Sequence, residues 1–349
     1  MQVWQRHARV GLGALLACAT LLTASGCSST QDAPQQRTVS VGFYAFFEPV
    51  SRAADPEPGT EGFDVHVGYE ADLLSAVEAM EDIGLSFERR GIGPWENIWL
   101  EPATEDTDLV GGGITILESR TVDATGDTVV AFTDGHIEFR QSLLVRAEDA
   151  GRLRDHDSLN GDDVVAALPN TTGEARLLQL IGAADASGGL REGTRIKTPA
   201  GEVVVASDGE VNITASGASP ELKRRLRLIP ADPNRPQVLY LGDDQGDPLG
   251  EAALHAALSE GRVDAVSGAV IGNSQAAAAS QGEFAVTAFD DLIEHGGFVV
   301  DVDDADLLER MNTALDWLTD NGRIGFTDWL ADSEIFMARA AQWPSPEPS

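Results

Sequence analysis

The stretch Asp108-Leu-Val-Gly-Gly-Gly-Ile-Thr-Ile-Leu-Glu-Ser-Arg120 places three glycines between a short apolar run and an arginine. Asp108 to Val110 predicts the end of a buried strand, after which the glycines bring bare backbone to the surface. Glycine lets a ligand approach amide N–H groups closely, and a guanidinium suits a carboxylate that accepts two hydrogen bonds. Open α/β sheets also bind ligands at the carboxyl ends of their strands. The stretch alone leaves two interpretations open: a ligand site that includes Thr115 and Arg120, or an ordinary turn followed by a solvated arginine.

The composition argues against some classes of partner. The chain has 349 residues, a formal net charge of −33 and only two lysines, Lys197 and Lys223. So acidic a surface argues against nucleic acid and anionic lipid as partners. The length is sufficient for one large domain or two medium ones with an ample core. An acidic surface also fits a protein kept soluble at high ionic strength, whereas a high-GC genome is an alternative explanation for arginine in place of lysine.

The amino terminus has the order of a secretory signal. Arg6 and Arg9 precede an apolar run from Val10 to Thr23 that is too short for a comfortable membrane span. Ala24-Ser-Gly-Cys27 then resembles the lipobox of bacterial lipoproteins. This resemblance implies removal of residues 1–26 and acylation of Cys27, including palmitate. A plain signal peptide with an incidental cysteine is the alternative.

The chain that follows this signal is expected to be an exported, tethered domain. Cys18 lies in the removed segment, so no cysteine remains for a disulfide with Cys27. Residues 27–38 continue from the lipidated cysteine as a polar run that predicts a flexible tether. No stretch after Cys27 has the length and apolarity of a bilayer span. We therefore expect a lipoprotein anchored to the outer face of the cytoplasmic membrane, or one held in the periplasm.

Strand-like and helix-like patterns alternate along the rest of the chain. Val39 to Tyr44 alternates as a strand does, whereas the apolar residues between Tyr69 and Met80 recur at helical spacing. The apolar residues between Leu307 and Leu318 have the same helical pattern. This alternation predicts a mostly parallel α/β sheet. Residues 202–214 predict a hairpin instead, with Asp208-Gly209 at its tight turn.

A helix start is predicted at Asn170-Thr-Thr-Gly-Glu174. Thr171 and Glu174 have the spacing of a capping box, so free amide N–H groups should point out of this end of the helix. The amino terminus of a helix is a natural site for an anion. The alternative is a cap with no ligand.

Eight patterns follow one another along residues 39–331. They are Val41-Gly with Phe47 and Pro49, Gly68-Tyr-Glu-Ala-Asp-Leu73, Trp95 before Asp108-Leu-Val, Gly112-Gly-Ile-Thr-Ile-Leu-Glu-Ser-Arg120, Phe132-Thr, Thr171-Thr-Gly-Glu174, Gly261-Arg-Val-Asp-Ala-Val266, and Leu315 with Gly322. Together they resemble the extracellular solute-binding proteins of family 3, the binding components of ABC importers for polar amino acids. No single pattern is specific, but their common order is.

The resemblance implies an α/β fold of the type 2 periplasmic-binding-protein class. In this fold two α/β lobes are joined by two crossover strands. Lobe 1 would contain residues 39–145 and 293–340, and lobe 2 residues 146–292. Residues 195–236 would be an insertion in lobe 2 that simple members lack, and residues 341–349 a disordered tail.

The resemblance also implies which residues contact the solute. Phe47 would stack on it, Trp95 would form a wall, and Arg120 would hold its carboxylate. The other contacts implied in this way are the backbone of Gly113, the hydroxyl of Thr115, and the helix start at Thr171 and Thr172. Ordinary core aromatics are the alternative for Phe47 and Trp95. The resemblance implies no catalytic residue, metal or cofactor.

One position departs from the family in a way that affects the ligand. In the family an acidic residue five positions after the Gly-Arg-Val-Asp motif holds the ammonium group, whereas this chain has Ala269 there. An α-amino group would need another partner, for which Glu48, Asp243 and Asp244 are the candidates. The sequence therefore predicts a solute with a carboxylate and leaves open whether that solute has an α-amino group.

A second departure is His136, which displaces the aromatic residue usual after Phe132-Thr. It is a candidate ligand contact, and the alternative is a packed or solvated histidine.

The expected function is that of the lipid-anchored binding component of an ABC importer, which captures a small carboxylate-bearing solute by closure of its cleft. Its partners would be the solute and a membrane permease, and a monomer is expected. Two alternatives use the same fold: a ligand sensor or surface lipoprotein without transport, and an enzyme such as a dehydratase. The chain has no Gly-x-Ser-x-Gly elbow, no His/Cys metal spacing and no phosphate loop, which argues against an enzyme.

Overall fold

The computed structural model describes residues 36–104, 106–207, 210–243 and 249–344. The expected signal segment, the lipidation at Cys27 and most of the expected tether lie outside these residues, as do Asp208, Gly209 and Asp244. The described residues form two main β-sheets with helices around them, which confirms the predicted α/β class.

The described strands are, in chain order, β1 (Arg37–Tyr44), β2 (Phe46–Phe47), β3 (Ser51–Ala53), β4 (His66–Val67), β5 (Leu85–Ile92), β6 (Leu109–Gly111), β7 (Val130–Phe132), β8 (Ile137–Phe139), β9 (Gln141–Arg146), β10 (Val164–Ala167), β11 (Arg195–Thr198), β12 (Gly201–Val204), β13 (Ile213–Thr214), β14 (Gly217–Ala218), β15 (Arg227–Ile229), β16 (Gln237–Leu239), β17 (Ala265–Ala269), β18 (Phe284–Thr287), β19 (Glu294–Gly296) and β20 (Val299–Asp301).

The described α-helices are α1 (Tyr69–Ala79), α2 (Thr172–Leu180), α3 (Glu251–Ser259), α4 (Val270–Ala279), α5 (Ala305–Leu318), α6 (Phe326–Ala331) and α7 (Ile335–Ala340). Short 3-10 helices include Glu118–Arg120, which follows the glycine turn, and Pro220–Leu222.

The smaller main sheet has the order β5-β1-β6-β20-β7. β1 pairs in parallel with β5 and β6, so that Val41 lies beside both Arg89 and Leu109. β20 comes from near the carboxyl end of the chain and pairs antiparallel with β6 and β7. Helix α1 packs against α5 and α7. We call this part lobe 1, and it contains the described residues of 36–132 and 299–344.

The larger main sheet has the order β12-β11-β15-β16-β10-β17-β9-β18. Its centre is parallel, with β10 between β16 and β17. The strands on both sides of this centre pair antiparallel. The prediction of a mostly parallel sheet is therefore wrong here, because β11, β12 and β15 of the insertion extend one edge and β9 and β18 form the other. We call this part lobe 2, and it contains the described residues of 141–287.

Two strands connect the lobes, as expected. β8 leads from β7 to β9, and β19 leads from β18 back to β20. The two strands pair antiparallel, with Phe139 opposite Glu294. The expected boundary at residue 145 falls inside β9, which pairs with β17 and β18 of the larger sheet. The chain thus enters lobe 2 at Gln141.

Each lobe has its own apolar core. The residues from Tyr69 to Met80 that recur at helical spacing are all buried in lobe 1, which confirms the predicted helix. In lobe 2 one face of the larger sheet packs Val165 and Val238 against α2. The other face packs Leu144 and Ala166 against α3. Helices on both faces are what the short apolar strands at the centre of the sheet require.

Both ends of the described chain are more ordered than expected. β1 begins at Arg37, inside the expected tether, because Arg37 pairs with Leu85 and forms ion pairs with Asp108 and Asp304. The expected disordered tail began at residue 341. Trp343 nevertheless packs edge-on against Trp317, with ring centres 5.2 Å apart. Residues 345–349 lie outside the described residues.

The hairpin predicted over residues 202–214 is wrong. β12 pairs with the preceding β11, with Thr198 opposite Gly201. The turn therefore lies at Pro199-Ala200, before the predicted hairpin begins. β13 pairs with β14 across a second turn at Ala215-Ser216. We call β13, β14 and this turn the inserted hairpin.

Candidate ligand-binding site

A cavity of about 70 Å³ lies between the two lobes. A wider groove of about 870 Å³ adjoins it and shares Tyr44, Trp95, Leu168 and Glu251 with it. Most of the ligand-contact candidates predicted from the sequence line the cavity. They are Phe47, Trp95, Gly113, Thr115, Arg120, Thr171, Thr172 and Ala269.

Arg120 ends a short 3-10 helix, and its side chain is fully buried. Its Nη1 donates to the carbonyl of Thr115 at 3.2 Å, and its Nη2 donates to the carbonyl of Ala215 at 2.8 Å. The guanidinium lies 4.5 Å from the ring centre of Trp99 and 5.5 Å from that of Trp95. Nε has no hydrogen-bond partner among the described residues. Two carbonyls and two indoles therefore orient the guanidinium, and they leave Nε free to donate to a ligand.

The charge of Arg120 is buried and not paired with a carboxylate of the described residues. Burial lowers the pKa of Arg120 to about 9, and the negative charge of Glu294 opposes this shift. A guanidinium remains protonated at neutral pH. An unpaired buried charge is unfavourable unless another charge or several hydrogen bonds compensate for it. A carboxylate entering the cavity would supply that compensation.

The glycine turn is built differently from the prediction. Gly112 and Gly113 have φ values of 135° and 69°, which favour glycine. Their amide N–H groups donate to the carboxylate of Glu70 at 2.6 and 2.9 Å. The amide of Gly113 is therefore not available to a ligand, because the buried Glu70 of α1 uses it. Glycine is needed at position 113 for a steric reason as well, because a Cβ atom there would lie 2.5 Å from the Phe47 ring.

The start of α2 forms half of the predicted capping box. The Thr171 hydroxyl accepts a hydrogen bond from the amide of Glu174 at 3.2 Å. The Glu174 carboxylate does not return this bond. It accepts from the amide of Asn170 at 2.7 Å and forms a fully buried ion pair with Arg225 of the insertion. The insertion is thus fastened to the helix start that faces the cavity.

The first amides of α2 remain available at the cavity. Neither Thr172 nor Gly173 donates its amide to another described residue, as expected for the first turn of a helix. The hydroxyl of Thr172 accepts from Nε2 of Gln141 at 3.0 Å and donates to the carboxylate of Glu294, where burial raises the pKa and this bond opposes the rise. Gln141 also donates to Oε2 of Glu294 at 2.6 Å. Thr172 can therefore offer its backbone to an anion more readily than its hydroxyl.

Phe47 and Trp95 line the cavity and are packed at the same time. Phe47 is 9% exposed, and its ring lies 5.9 Å from that of Phe139. Trp95 is partly buried, and its Nε1 donates to the carbonyl of Asn170 at 2.9 Å across the lobes. Both aromatics can therefore contact a ligand and also belong to the packed core.

His136 does not line the cavity. It is buried between Tyr69 and Phe298, with ring centres 5.7 and 4.5 Å from its own. Burial lowers the pKa of His136 to about 3, so the ring is neutral. The structure thus fits the packed interpretation of this residue.

Two candidate partners for an ammonium group lie away from the cavity. Glu48 faces the wider groove, with its carboxylate 3.5 Å from Arg52. Asp243 lines neither the cavity nor the groove, and Asp244 lies outside the described residues.

Glu251 is a cavity residue that sequence reasoning missed. It is the first residue of α3 and lines both the cavity and the groove. Nothing in the sequence pattern connects this helix start with the strand that ends at Ala269. Gln141 was missed for the same reason, and its Oε1 is buried at the cavity without a hydrogen-bond partner among the described residues.

No helix in the described ranges is long and apolar enough to cross a membrane. Within the same residues, no group of three or more histidine, cysteine, aspartate or glutamate side chains is arranged to hold a metal ion.

Comparison with known families gives one match over most of the chain. The model described as bacterial extracellular solute-binding proteins, family 3, matches residues 39–327. A comparison with curated protein sequences gave no match.

Several solved structures share the fold. An amino acid ABC transporter substrate-binding protein, AbpA from Streptococcus pneumoniae bound to L-arginine, has a TM-score of 0.54 at 13% identity, covering 87% of this chain and 95% of that one. A mutant of ArgBP from T. maritima has a TM-score of 0.51 at 20% identity, covering 88% and 94%. The ancestral amino acid-binding protein AncCDT-1, a precursor of cyclohexadienyl dehydratase, has a TM-score of 0.50 at 18% identity, covering 88% and 95%. At these identities the likeness shows the two-lobed fold.

Proposed function

We propose that this chain, which belongs to the bacterial extracellular solute-binding proteins of family 3, is the solute-binding component of an ABC importer. It captures a small solute that carries a carboxylate, an amino acid or a derivative of one, in the cavity between its lobes. The solute is held by Arg120 from lobe 1 and by the start of α2 from lobe 2.

The observation that carries this proposal is the state of Arg120. Its guanidinium is fully buried at the cavity, and among the described residues its Nε has no hydrogen-bond partner and no carboxylate forms an ion pair with it. Thr172 and Gly173, whose amides donate to no other described residue, line the same cavity. A carboxylate placed there would accept from Nε and from a helix amino terminus, and both interactions favour an anion.

Contacts between the lobes support a mechanism of cleft closure. Trp95 donates to Asn170, and the hydroxyls of Ser119 and Ser216 lie 2.7 Å apart. A solute that touches both lobes would add to these contacts and stabilise the closed arrangement. The permease in the membrane would then recognise the closed form.

The remaining parts of the proposal rest on the sequence. The signal at residues 1–26 exports the chain, and acylation of Cys27 holds it at the outer face of the cytoplasmic membrane. The protein acts as a monomer, and the solute leaves it chemically unchanged.

The test uses the soluble chain from Ser28 onward and a thermal-shift screen against the twenty amino acids, their deaminated acids and small dicarboxylates. Solutes that bind the native state raise Tm by mass action, and titration calorimetry then gives Kd. We expect Arg120→Ala to abolish the binding that the screen detects, and Arg120→Lys to weaken it, because lysine lacks the planar fork.

Arg154→Ala is the matched control, since Arg154 is exposed and its ion-pair partner is the adjacent Asp155. Unchanged affinity in a folded Arg120→Ala variant would show that the carboxylate site lies elsewhere. Conversion of a bound solute, followed by NMR, would contradict the binding role and favour the enzyme.

A further inference from the structure

Glu251 places a carboxylate on the cavity wall without a partner. It forms no hydrogen bond and no ion pair with the other described residues. Burial raises the pKa of Glu251 to about 7. Its charge also helps to raise the pKa of the neighbouring Tyr44 above its ordinary value. A carboxyl group in this state is expected to gain from a cation that enters the cavity.

The carboxylate tip lies beside the first turn of α4. A Cβ built on Gly272 would be 3.8 Å from Oε2 of Glu251 and 3.2 Å from Cε2 of Phe47. Gly272 follows Ala269, the residue before α4, by one helical turn, so the two residues share a face of the helix. Glu251 thus reaches, from α3, the neighbourhood of the position where related proteins carry an acidic residue.

Among the described residues, the cavity is therefore lined by one cation and one anion that have no ion-pair partner. Arg120 supplies a buried cation from lobe 1, and Glu251 supplies an anion from lobe 2. Gln141 adds an acceptor, because its Nε2 donates to Thr172 and Glu294 while its Oε1 has no partner in the part of the chain that the structure describes. A solute with only a carboxylate would leave the charge of Glu251 without a partner. A zwitterion would match both charges.

We infer that Glu251 binds the α-ammonium group of the solute, in place of an acid at position 269, and selects α-amino acids over carboxylic acids that lack the amine. This inference rests on the proposed function, because it takes the carboxylate of the same solute to be held by Arg120.

The first test compares paired probes on the soluble chain. Each amino acid that binds in the screen is paired with the acid that lacks only its α-amine, for example L-phenylalanine with 3-phenylpropanoate and L-arginine with 5-guanidinopentanoate. We expect the wild-type protein to prefer the amino acid. Glu251→Gln should raise the Kd for the amino acid about a hundredfold, since it removes one partner of a buried charge pair. It should leave the Kd for the deaminated acid unchanged or lower.

Glu260→Gln is the matched control. It makes the same chemical change at the other end of α3, on an exposed side chain paired with Arg262. It should alter neither Kd, so that an effect of removing a charge from the whole protein is separated from an effect at the cavity.

The second test moves the acid. Glu251→Ala should lose the preference for the amino acid, and the double variant Glu251→Ala with Ala269→Asp should regain much of it. A merely structural role of Glu251 would not be rescued in this way. Rescue would show that the two positions serve the same group of the solute.

Three outcomes would overturn the inference and are distinguishable. Amino-acid binding that depends on Arg120 but not on Glu251 would overturn the inference alone. Binding of deaminated acids but of no amino acid would do the same and leave the carboxylate proposal standing. Binding of no carboxylate in the whole panel would overturn both.

Discussion

Nη2 of Arg120 donates to the carbonyl of Ala215 at 2.8 Å, which joins the carboxylate-binding candidate of lobe 1 to the turn of the inserted hairpin in lobe 2. Next to it, the hydroxyls of Ser119 and Ser216 lie 2.7 Å apart. The insertion is in turn fastened to α2 by the buried pair of Arg225 and Glu174. The insertion of lobe 2 thus contacts both lobes beside the cleft, and opening of the cleft must separate it from Arg120.

A disulfide across this contact should lock the cleft. The chain from Ser28 onward has no cysteine, so Ser119→Cys with Ser216→Cys introduces one specific pair. Because the two hydroxyls are in hydrogen-bond contact, the two side chains point toward each other, as a disulfide requires. We expect the oxidised double variant to bind an amino acid from the screen at least tenfold more slowly, and dithiothreitol to restore the rate. The single Ser216→Cys variant is the control. An oxidised variant, verified by mass spectrometry, that binds as fast as the reduced one would show that the cleft opens elsewhere.

Breaking the ion pair between Arg225 and Glu174 should destabilise the protein strongly. Both side chains are fully buried, and Nη2 lies 2.6 Å from Oε2. Arg225→Met leaves the Glu174 charge buried, a change that costs about 3–5 kcal/mol in free energy of unfolding. Arg262→Met removes an exposed pair with Glu260 and should cost about 0–1 kcal/mol. Urea unfolding followed by circular dichroism compares the two, and equal losses would contradict the importance of burial.

Gly113→Ala should disturb the cavity through Phe47. Its φ of 69° strains an alanine, and the added Cβ would meet the Phe47 ring at 2.5 Å. Gly126→Ala is a matched control, because Gly126 has a φ of 90° but nothing within 4 Å of its Cβ position. We expect both variants to lose about 1–2 kcal/mol through backbone strain. Only Gly113→Ala should also weaken solute binding, by more than tenfold in calorimetry. Equal affinities in the two variants would remove Phe47 from the binding site.

Affinity for an amino acid should fall at acid pH because of Glu251. Burial raises the pKa of this carboxyl to about 7 in the free protein, and the ammonium group binds its ionised form. Below pH 7 each unit should therefore raise Kd about tenfold, whereas Kd should be nearly constant from pH 7.5 to 8.5. Calorimetry across this range gives the slope.

The other groups that face Glu251 do not produce the same slope. The charged or titratable side chains that line the cavity or the groove with it are Tyr44, Glu48, Arg52, Glu96, Arg120 and His255. Burial lowers the pKa of His255, which keeps it neutral above its ordinary pKa. Glu251→Gln should abolish the dependence if Glu251 is its source. A slope that survives in that variant would assign the titration to another group.

The stability of the free protein should show the opposite trend, because ionisation of Glu251 is unfavourable in the folded state. Its pKa of about 7 in the folded protein lies above the ordinary value of 4.5 for a glutamate side chain. The destabilisation is therefore absent below pH 4.5 and complete above pH 7. We expect Glu251→Gln to raise Tm at pH 8 and to leave it unchanged at pH 4.5. A lower Tm at pH 8 would mean that the carboxylate has a stabilising partner.

Local patterns in the sequence predicted much of the fold and part of the site. The helical spacing from Tyr69 to Met80 and the helix start at Thr171 reflect short-range geometry, which the structure reproduces. Arg120 was found because a glycine turn and an arginine lie within one short stretch. The hairpin over residues 202–214 was mispredicted because two tight turns compete there, and the pairing of β11 with β12 uses the earlier one.

Contacts between distant parts of the chain could not be predicted in this way. The Glu70 carboxylate accepts a hydrogen bond from the amide of Gly113, 43 residues away in the chain. Whether that amide is available to a ligand therefore depends on how α1 packs. Ala215 lies 95 residues from Arg120, inside an insertion that has no periodic signal of its own.

The sequence by itself determined the α/β class, the order of the family's patterns and the position of Arg120, the arginine proposed to bind a carboxylate, because these depend on residues that are neighbours in the chain. The tertiary structure decided which charges face the cavity. Ala269 removes the acid from one helix start, and only the packing of α3 beside α4 brings the Glu251 carboxylate to that place. A side chain acquires its electrostatic partners from the elements packed around it, and these are distant in sequence.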